Sequence, residues 1–287
     1  MRLLQKKAMG LKFIMNKIPI VIMAAGVSSR MKNSSVPKNI SEELIKQSNQ
    51  RVKGFIQVGN QKEPIIYFIV NNCIKAGIRD FFIILSDNSN EFQEYLKSIE
   101  KKLSINIKFG FQDFYGKLKP MGTADALFQL INQYPELKKK RFLVCNSDNL
   151  YSIKAIKLLL NESNYNSMIA YDYDCLEFTE ERLSSFSILR IKDNFLERII
   201  EKPDLDIVKN YNKKYVSMNI FSFIGDQVFR YFKDCPINIE RGEKEISTAL
   251  QNMITDNDKS MIVFPLCEHV PDLTLKEDIN KINRYLN

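Results

Sequence analysis

Pro19 to Met31 reads PIVIMAAGVSSRM: a continuous apolar run over Pro19 to Ala25, then a turn that holds a glycine, two serines and an arginine. A short run without polar alternation predicts a strand buried on both faces, the kind found inside parallel sheets. Asp80 to Ser86 (DFFIILS) and Arg141 to Cys145 (RFLVC) repeat the type. Helical stripes lie between them: Ile65, Ile66, Ile69, Cys73 and Ile74 before Gly77, a candidate C-cap, and then Phe92, Tyr95, Leu96, Ile99 and Leu103. Ala124 to Tyr134 and Ile153 to Leu160 add two more. Strands alternating with helices through residue 160 predict an α/β fold whose parallel sheet is built by right-handed crossovers and covered on both faces.

The texture changes after residue 165. Ser185 to Ile191 and Phe195 to Ile200 flank Lys192-Asp193-Asn194, a hairpin signal, and Tyr215 to Ile224 reads as one further long strand. This half is expected to be more antiparallel. An amphipathic helix through Ile246, Ala249, Leu250, Met253 and Ile254 is followed by a strand at Met261 to Pro265 and a closing helix from Lys276 to Leu286. Lys32 to Val52 is polar and lacks period, so it reads as a long loop. Residues 1–16 read as an N-terminal extension and 17–287 as a single domain, with halves over 17–165 and 166–287.

Composition narrows the chemistry. The 287 residues are 45% hydrophobic and 26% charged, which excludes disordered, collagen-like and coiled-coil classes. The 42 basic against 34 acidic residues give +8, which suits phosphate-bearing partners without distinguishing nucleic acid from nucleotides or sugar phosphates. A lone histidine, His269, excludes a three-histidine zinc site. Cys73, Cys145, Cys175, Cys235 and Cys267 are odd in number and show no C-x-x-C, so they are expected to be reduced, structural thiols of a cytoplasmic protein. The chain has neither a signal-peptide pattern nor an apolar stretch of spanning length.

Ligands of parallel α/β sheets bind beyond the carboxyl ends of the strands. After the first strand, Ala25, Gly26, Ser28 and Ser29 can present backbone N–H groups to a phosphate, and Arg30 adds a bidentate donor. Neither a Walker P-loop nor a dinucleotide G-x-G-x-x-G is present. The turn by itself fits a phosphate cradle or an ordinary tight turn.

The motif order carries more. Ile22 to Met31 (IMAAGVSSRM), with Lys53 and Gln57-Val58-Gly59 downstream, resembles the signature turn of the sugar-phosphate nucleotidyltransferases. Pro64 to Phe68 with Ala76-Gly77-Ile78, then Met121 to Ala126 (MGTADA), Cys145 to Leu150 (CNSDNL), Glu201-Lys202-Pro203, Ser217 to Phe221 (SMNIF) and Val270 to Thr274 (VPDLT) resemble further motifs in the family's order. With Pro19 to Val21 ahead of the first and Glu277-Asp278 after the last, they run over residues 19 to 280, nearly the whole chain. The resemblance implies a GT-A-like fold: a three-layer α/β/α arrangement with a mixed, mainly parallel central sheet and a smaller antiparallel acceptor-binding portion. The nucleotide-binding half would be 17–165 and the acceptor-binding half 166–287.

It also implies roles. Arg30 and Lys53 would stabilise the triphosphate and the transition state, with Ala25, Gly26, Ser28, Ser29, Gly122 and Thr123 binding the nucleotide. Glu201, Lys202 and Asn219 would contact the acceptor, and Asp148 and Asp272 would hold Mg²⁺, a hard cation that takes one or two protein carboxylates and completes its shell with water and phosphate. A phosphate nucleophile arrives already ionised, which agrees with the scarcity of histidine. The implied reaction joins a nucleoside triphosphate of pyrimidine type (UTP, CTP or dTTP) to a sugar 1-phosphate and releases pyrophosphate. Its partners are small molecules rather than nucleic acid or membrane, and a homo-oligomer is compatible with it.

Alternatives stay open at this level. One is a CTP-dependent enzyme for a phospho-alcohol such as phosphocholine; another is a non-catalytic nucleotide-binding homologue. Ser28 stands where sugar-specific members usually carry glycine. The long 32–52 stretch leaves Lys38 as a rival to Lys53 for the motif lysine, with Lys53 favoured by the spacing to Gln57-Val58-Gly59.

Overall fold

The structure is a computed structural model, described over residues 18–87, 89–162, 164–201 and 213–286. The extension predicted for residues 1–16 and the acceptor residue Lys202 lie outside the described residues. Strands β1 (Ile20–Met23), β2 (Gln57–Val58), β3 (Glu63–Pro64), β4 (Asp80–Leu85), β5 (Asn106–Phe111) and β6 (Arg141–Asn146) alternate with helices α1 (Ser29–Asn33), α2 (Glu42–Gln50), α3 (Ile65–Ala76), α4 (Asn90–Leu103) and α5 (Thr123–Gln133). There follow α6 (Ile153–Asn161), β7 (Asn166–Asp172), α7 (Glu180–Leu183), β8 (Ile188–Lys192), β9 (Phe195–Ile200), β10 (Tyr215–Val216) and β11 (Ile220–Ile224). The chain closes with α8 (Gly225–Lys233), α9 (Ile246–Asp256), β12 (Met261–Leu266) and α10 (Asp278–Leu286).

Among the described residues, ten strands form one mixed sheet in the order β10-β8-β9-β12-β7-β11-β6-β1-β4-β5. Parallel pairing joins β5, β4, β1 and β6, and also β12 with β7; the remaining neighbours are antiparallel. Because β10 also pairs with β7, strands β7, β12, β9, β8 and β10 close into a ring, a barrel-like part continuous with the open sheet.

The apolar run that opened the sequence is the central strand. Ile20, Val21 and Ile22 are fully buried, each worth roughly 1.5–3 kcal/mol. Ile20 and Ile22 face the core packed by α3, α4, α6 and α10, while Val21 faces the core packed by α5, α8 and α9. Period-two alternation on a strand with helices over both faces explains why no polar residue interrupts it. The outer strand β5 is guarded along its free edge by side chains. Glu100 accepts from the Ile107 amide at 2.7 Å, Tyr134 donates to the Phe109 carbonyl at 2.8 Å, and Gln133 bonds both the N–H and C=O of Phe111 at 2.9 and 2.6 Å.

Four expectations need correction. The 32–52 stretch carries α1 and α2; Ser41 caps α2 by accepting from the Leu44 amide, and the stripe it buries is the polar pair Gln47 and Ser48, so a hydrophobic period could not reveal it. Tyr215 to Ile224 is two strands, because Asn219 adopts a left-handed φ of 55° and turns the chain between β10 and β11. The closing helix begins at Asp278 rather than Lys276. Cys175 and Cys267 form a disulfide, 92 residues apart in sequence, where reduced thiols were expected; their Cα atoms lie 5.3 Å apart, and no sequence spacing encodes such a meeting. The β8–β9 hairpin stands as read, with Asp193 and Asn194 at φ 50° and 65°, the left-handed pair of a type I′ turn.

Candidate functional site

Parallel register brings the ends of β1 and β6 side by side, Met23 opposite Asn146, so the turns after both strands emerge together. The Ser147 amide donates to the Met23 carbonyl at 3.2 Å and closes the junction. Above it sits a 3-10 turn, Lys53–Phe55. An added Cβ on Gly54 would fall 2.9 Å from the Ser147 Cβ, so a glycine is needed for this turn to lie against β6. Seated there, Lys53 donates its amide to the Ser28 Oγ at 3.0 Å, and its Nζ pairs with the Asp148 Oδ2 at 2.8 Å. Ser28 itself is left-handed, φ 60°.

The second carboxylate is delivered by backbone. Asn149 and Asp272 form an antiparallel bridge, the Leu273 amide donates to the Asp148 carbonyl at 2.9 Å, and the Leu150 amide to the Pro271 carbonyl at 2.9 Å. Asp148 and Asp272 are thereby neighbours although 124 positions apart. Asp272 is only 7% exposed. Burial pushes its carboxyl pKa up and the Asp148 charge adds to that, while Lys53 and Arg182 pull it back.

Arg182, on α7, is a site residue that sequence reasoning missed. Its guanidinium pairs with the Asp272 Oδ2 at 2.7 Å and with the Asp278 Oδ1 at 2.6 Å. Asp278 in turn accepts from the Thr274 and Leu275 amides at 3.0 and 2.7 Å. The buried Lys276 donates to the carbonyls of Met31, Lys32 and Ser34 at 2.8–3.0 Å, tying this turn to the end of α1. The sequence signal around Arg182 is an ordinary helix start, Thr179 accepting from the Arg182 amide, and nothing in it marks a partner 90 residues away.

A cavity of about 1180 Å³ opens over these groups. Arg30, Thr123, Asp148, Glu201, Asn219 and Asp272 all line it. Ala25 is buried, whereas Gly26 and Ser29 are exposed beside Arg30. Gly122 and Thr123 serve the fold as well: the Ala124 amide donates to the Lys244 carbonyl at 2.9 Å, and Thr123 Oγ1 accepts from the Ile246 amide at 2.9 Å, at the start of α9. Glu201 accepts from the Ser187 hydroxyl at 2.8 Å. The Asn219 side chain makes no hydrogen bond among the described residues. Lys38 is exposed between α1 and α2 and does not line the cavity. His269, the lone histidine, accepts from the Glu177 amide at 3.0 Å between the rings of Phe178 and Tyr285, and burial lowers its pKa.

Such a site can hold a polyanion against Lys53 and Arg30 and a hard cation against paired carboxylates. Among the described residues, no group of three or more His, Cys, Asp or Glu side chains could hold a metal ion alone. Two carboxylates on a cavity wall fit Mg²⁺, whose other ligands are water and phosphate oxygens.

The sequence model of the nucleotidyl transferase family matches residues 42–266, so Gly26 to Arg30 and Asp272 flank the matched span. A glucose-1-phosphate adenylyltransferase of Francisella tularensis subsp. tularensis is 24% identical over 284 residues, covering 93% of this chain; the chain spans 60% of that protein's length. A structure described as a glucose-1-phosphate thymidylyltransferase of Bacillus anthracis, in complex with sucrose, superposes with a TM-score of 0.67 at 19% identity over 94% of this chain and 95% of the other. A UDP-glucose pyrophosphorylase complexed with UDP-glucose gives 0.68 at 15% identity, over 93% and 97%. Both share the fold.

Proposed function

The chain belongs to the nucleotidyl transferase family, and from that premise we propose that it transfers a nucleoside monophosphate from a nucleoside triphosphate to a sugar 1-phosphate, releasing pyrophosphate. The observation that carries this reading is the Lys53–Asp148 pair beside Asp272, set in a cavity large enough for a nucleotide and an acceptor together. The two apolar cores on opposite faces of the sheet support the three-layer reading of the fold.

In this reading an acceptor phosphate oxygen forms a bond to the α-phosphorus while the bond to pyrophosphate breaks in line. Asp148 and Asp272 would hold Mg²⁺, which supplies charge neutralisation at the phosphates when bound. Lys53, freed from sole pairing with Asp148, would face the α-phosphate, with Arg30 along the pyrophosphate. The exposed turn at Gly26 and Ser29 would present amides to the triphosphate, and the loop at Gly122 and Thr123 would border the base. Glu201 and Asn219, on the far wall, would accept and donate hydrogen bonds to the acceptor's hydroxyls; Lys202 is proposed to grip its phosphate.

A second reading is favoured by a specific feature. Phe178 and Phe186 line the cavity with ring centres 5.5 Å apart, and the cavity residues Glu177, Glu181 and Glu201 make no ion pair among the described residues. Phe178 already carries the Arg182 guanidinium 4.6 Å from its ring centre. Aromatic faces with carboxylates suit a cationic acceptor such as phosphocholine, with CTP as donor. Pyrophosphate release measured for each of the four triphosphates against sugar 1-phosphates and phospho-alcohols decides the matter. Turnover with one sugar 1-phosphate supports the first reading, turnover with phosphocholine the second, and nucleotide binding without turnover on any acceptor defeats both.

The choice between lysines is also testable. Lys53→Ala is expected to lower turnover by about 100-fold, and Lys38→Ala by less than about twofold, since only Lys53 reaches the carboxylate pair. Equal losses in steady-state kinetics would reassign the role.

A further inference from the structure

We propose that Arg182 is the positioning residue and resident counter-ion of Asp272, holding that carboxylate ready for a metal–triphosphate complex and keeping the nucleotide-free site from capturing a divalent cation alone. The proposal rests on the reading of Asp148 and Asp272 as metal ligands.

Three features carry it. One planar guanidinium spans two carboxylates and a carbonyl: Asp272 Oδ2 at 2.7 Å, Asp278 Oδ1 at 2.6 Å and the Asp272 C=O at 3.1 Å. Only a forked cation satisfies all three, so Arg182 fixes the rotation of the Asp272 side chain as well as its charge. The Thr274 hydroxyl donates to the same Oδ2 at 2.8 Å, and Oδ1 accepts no hydrogen bond among the described residues, so one oxygen is committed and the other is left for a ligand.

The second feature is charge. Lys53 sits on Asp148, and Arg182 sits on Asp272 while sharing Asp278 with Lys281 at 3.5 Å, so each carboxylate of the pair already has a tethered cation beside it. A divalent ion arriving alone adds two positive charges beside two others. Arriving with a triphosphate, the same ion brings its own counter-charge.

The third is the anchoring of the loop that carries Arg182. The Cys175–Cys267 disulfide and the Glu177 amide on His269 fasten it to the segment that bears Asp272, and the Tyr285 hydroxyl on the Glu177 carboxylate fastens it to α10. A cation held on so fixed a loop cannot simply swing away as a surface lysine would.

Damage to the fold would weaken metal binding, whereas removal of a counter-ion should strengthen it, and that difference in sign is the test. Mn²⁺ binding to the full chain alone is followed by the electron paramagnetic resonance of free Mn²⁺, and in the presence of each of the four triphosphates by the Mn²⁺ the chain retains in equilibrium dialysis against the same Mn²⁺–triphosphate solution. Arg182→Gln is expected to bind Mn²⁺ alone at least tenfold more tightly than wild type, while kcat falls about 30-fold and the triphosphate KM stays within threefold. Arg182→Lys keeps a charge and should leave Mn²⁺ affinity within threefold, with kcat partly restored. Should Arg182→Gln fail to fold, Arg182→Met, which retains the stem beside Phe178, is measured against the same criterion. Mn²⁺ binding to the uncharged variant no tighter than to wild type overturns the proposal. Absence of Mn²⁺ binding by wild type with every triphosphate overturns the metal reading itself, and the proposal with it.

Discussion

Asp148→Ala is expected to reduce pyrophosphate release by about 10³-fold or more with every acceptor, equivalent to roughly 4 kcal/mol of lost transition-state stabilisation. The argument separates backbone from side chain. The Asp148 carbonyl accepts the Leu273 amide and so belongs to the bridge that carries Asp272, and that bond survives the substitution. The side chain alone offers a carboxylate to the cavity, where it pairs with Lys53. Losing it removes one of two candidate cation ligands and leaves Lys53 without its guide. The cost to stability should be small, because Asp148 lines the open cavity, where solvent can take the place of its carboxylate beside Lys53, and Asp272 is relieved of a neighbouring negative charge. Thermal melts are therefore expected to move by only about 2 °C. Retention of more than a tenth of wild-type turnover would remove Asp148 from the metal role; a large fall in melting temperature would show that the side chain holds the fold.

Much of this was legible in the chain because it is encoded locally. The buried runs at Ile20–Met23 and Arg141–Asn146 announce parallel strands, and the residues that follow them, Gly26 to Arg30 and Asp148, stand at the strands' carboxyl ends, where Arg30 and Asp148 line the cavity. Lys53 and Asp272 came from motif order, and the structure seats both beside Asp148. What escaped reading is encoded by meetings of distant segments. Arg182 acts on Asp272 across 90 positions, Cys175 finds Cys267 across 92, and the left-handed Asn219 splits a stretch whose β-propensity is uninterrupted. Helix α2 was hidden for another reason: a cap and an acidic first turn announce it, but its buried face is polar, so the periodicity that reveals other helices is absent.

Gly122→Ala should lower the stability of the ligand-free protein by about 3 kcal/mol or more, about 5 °C or more in melting temperature for a chain of this size. Gly122 has φ 105° and ψ −179°, a region that L-residues avoid. An added Cβ would fall 2.4 Å from the Lys244 carbonyl oxygen and 2.8 Å from its nitrogen. Lys244 has no room to retreat, because its amide donates to the Met121 carbonyl and its carbonyl accepts the Ala124 amide. Moving it would break those bonds and pull Thr123 away from the Ile246 amide. Gly26 is the control: nothing lies within 4 Å of its added Cβ, so Gly26→Ala should cost less than about 1 kcal/mol. Both glycines were read as places where a nucleotide approaches the backbone, and the two substitutions separate that role from packing. If Gly122→Ala melts like wild type and only the triphosphate KM rises, its glycine serves the ligand. If the melt falls as expected while Gly26→Ala raises KM alone, the first glycine is required by the strap at Lys244 and the second by the phosphates.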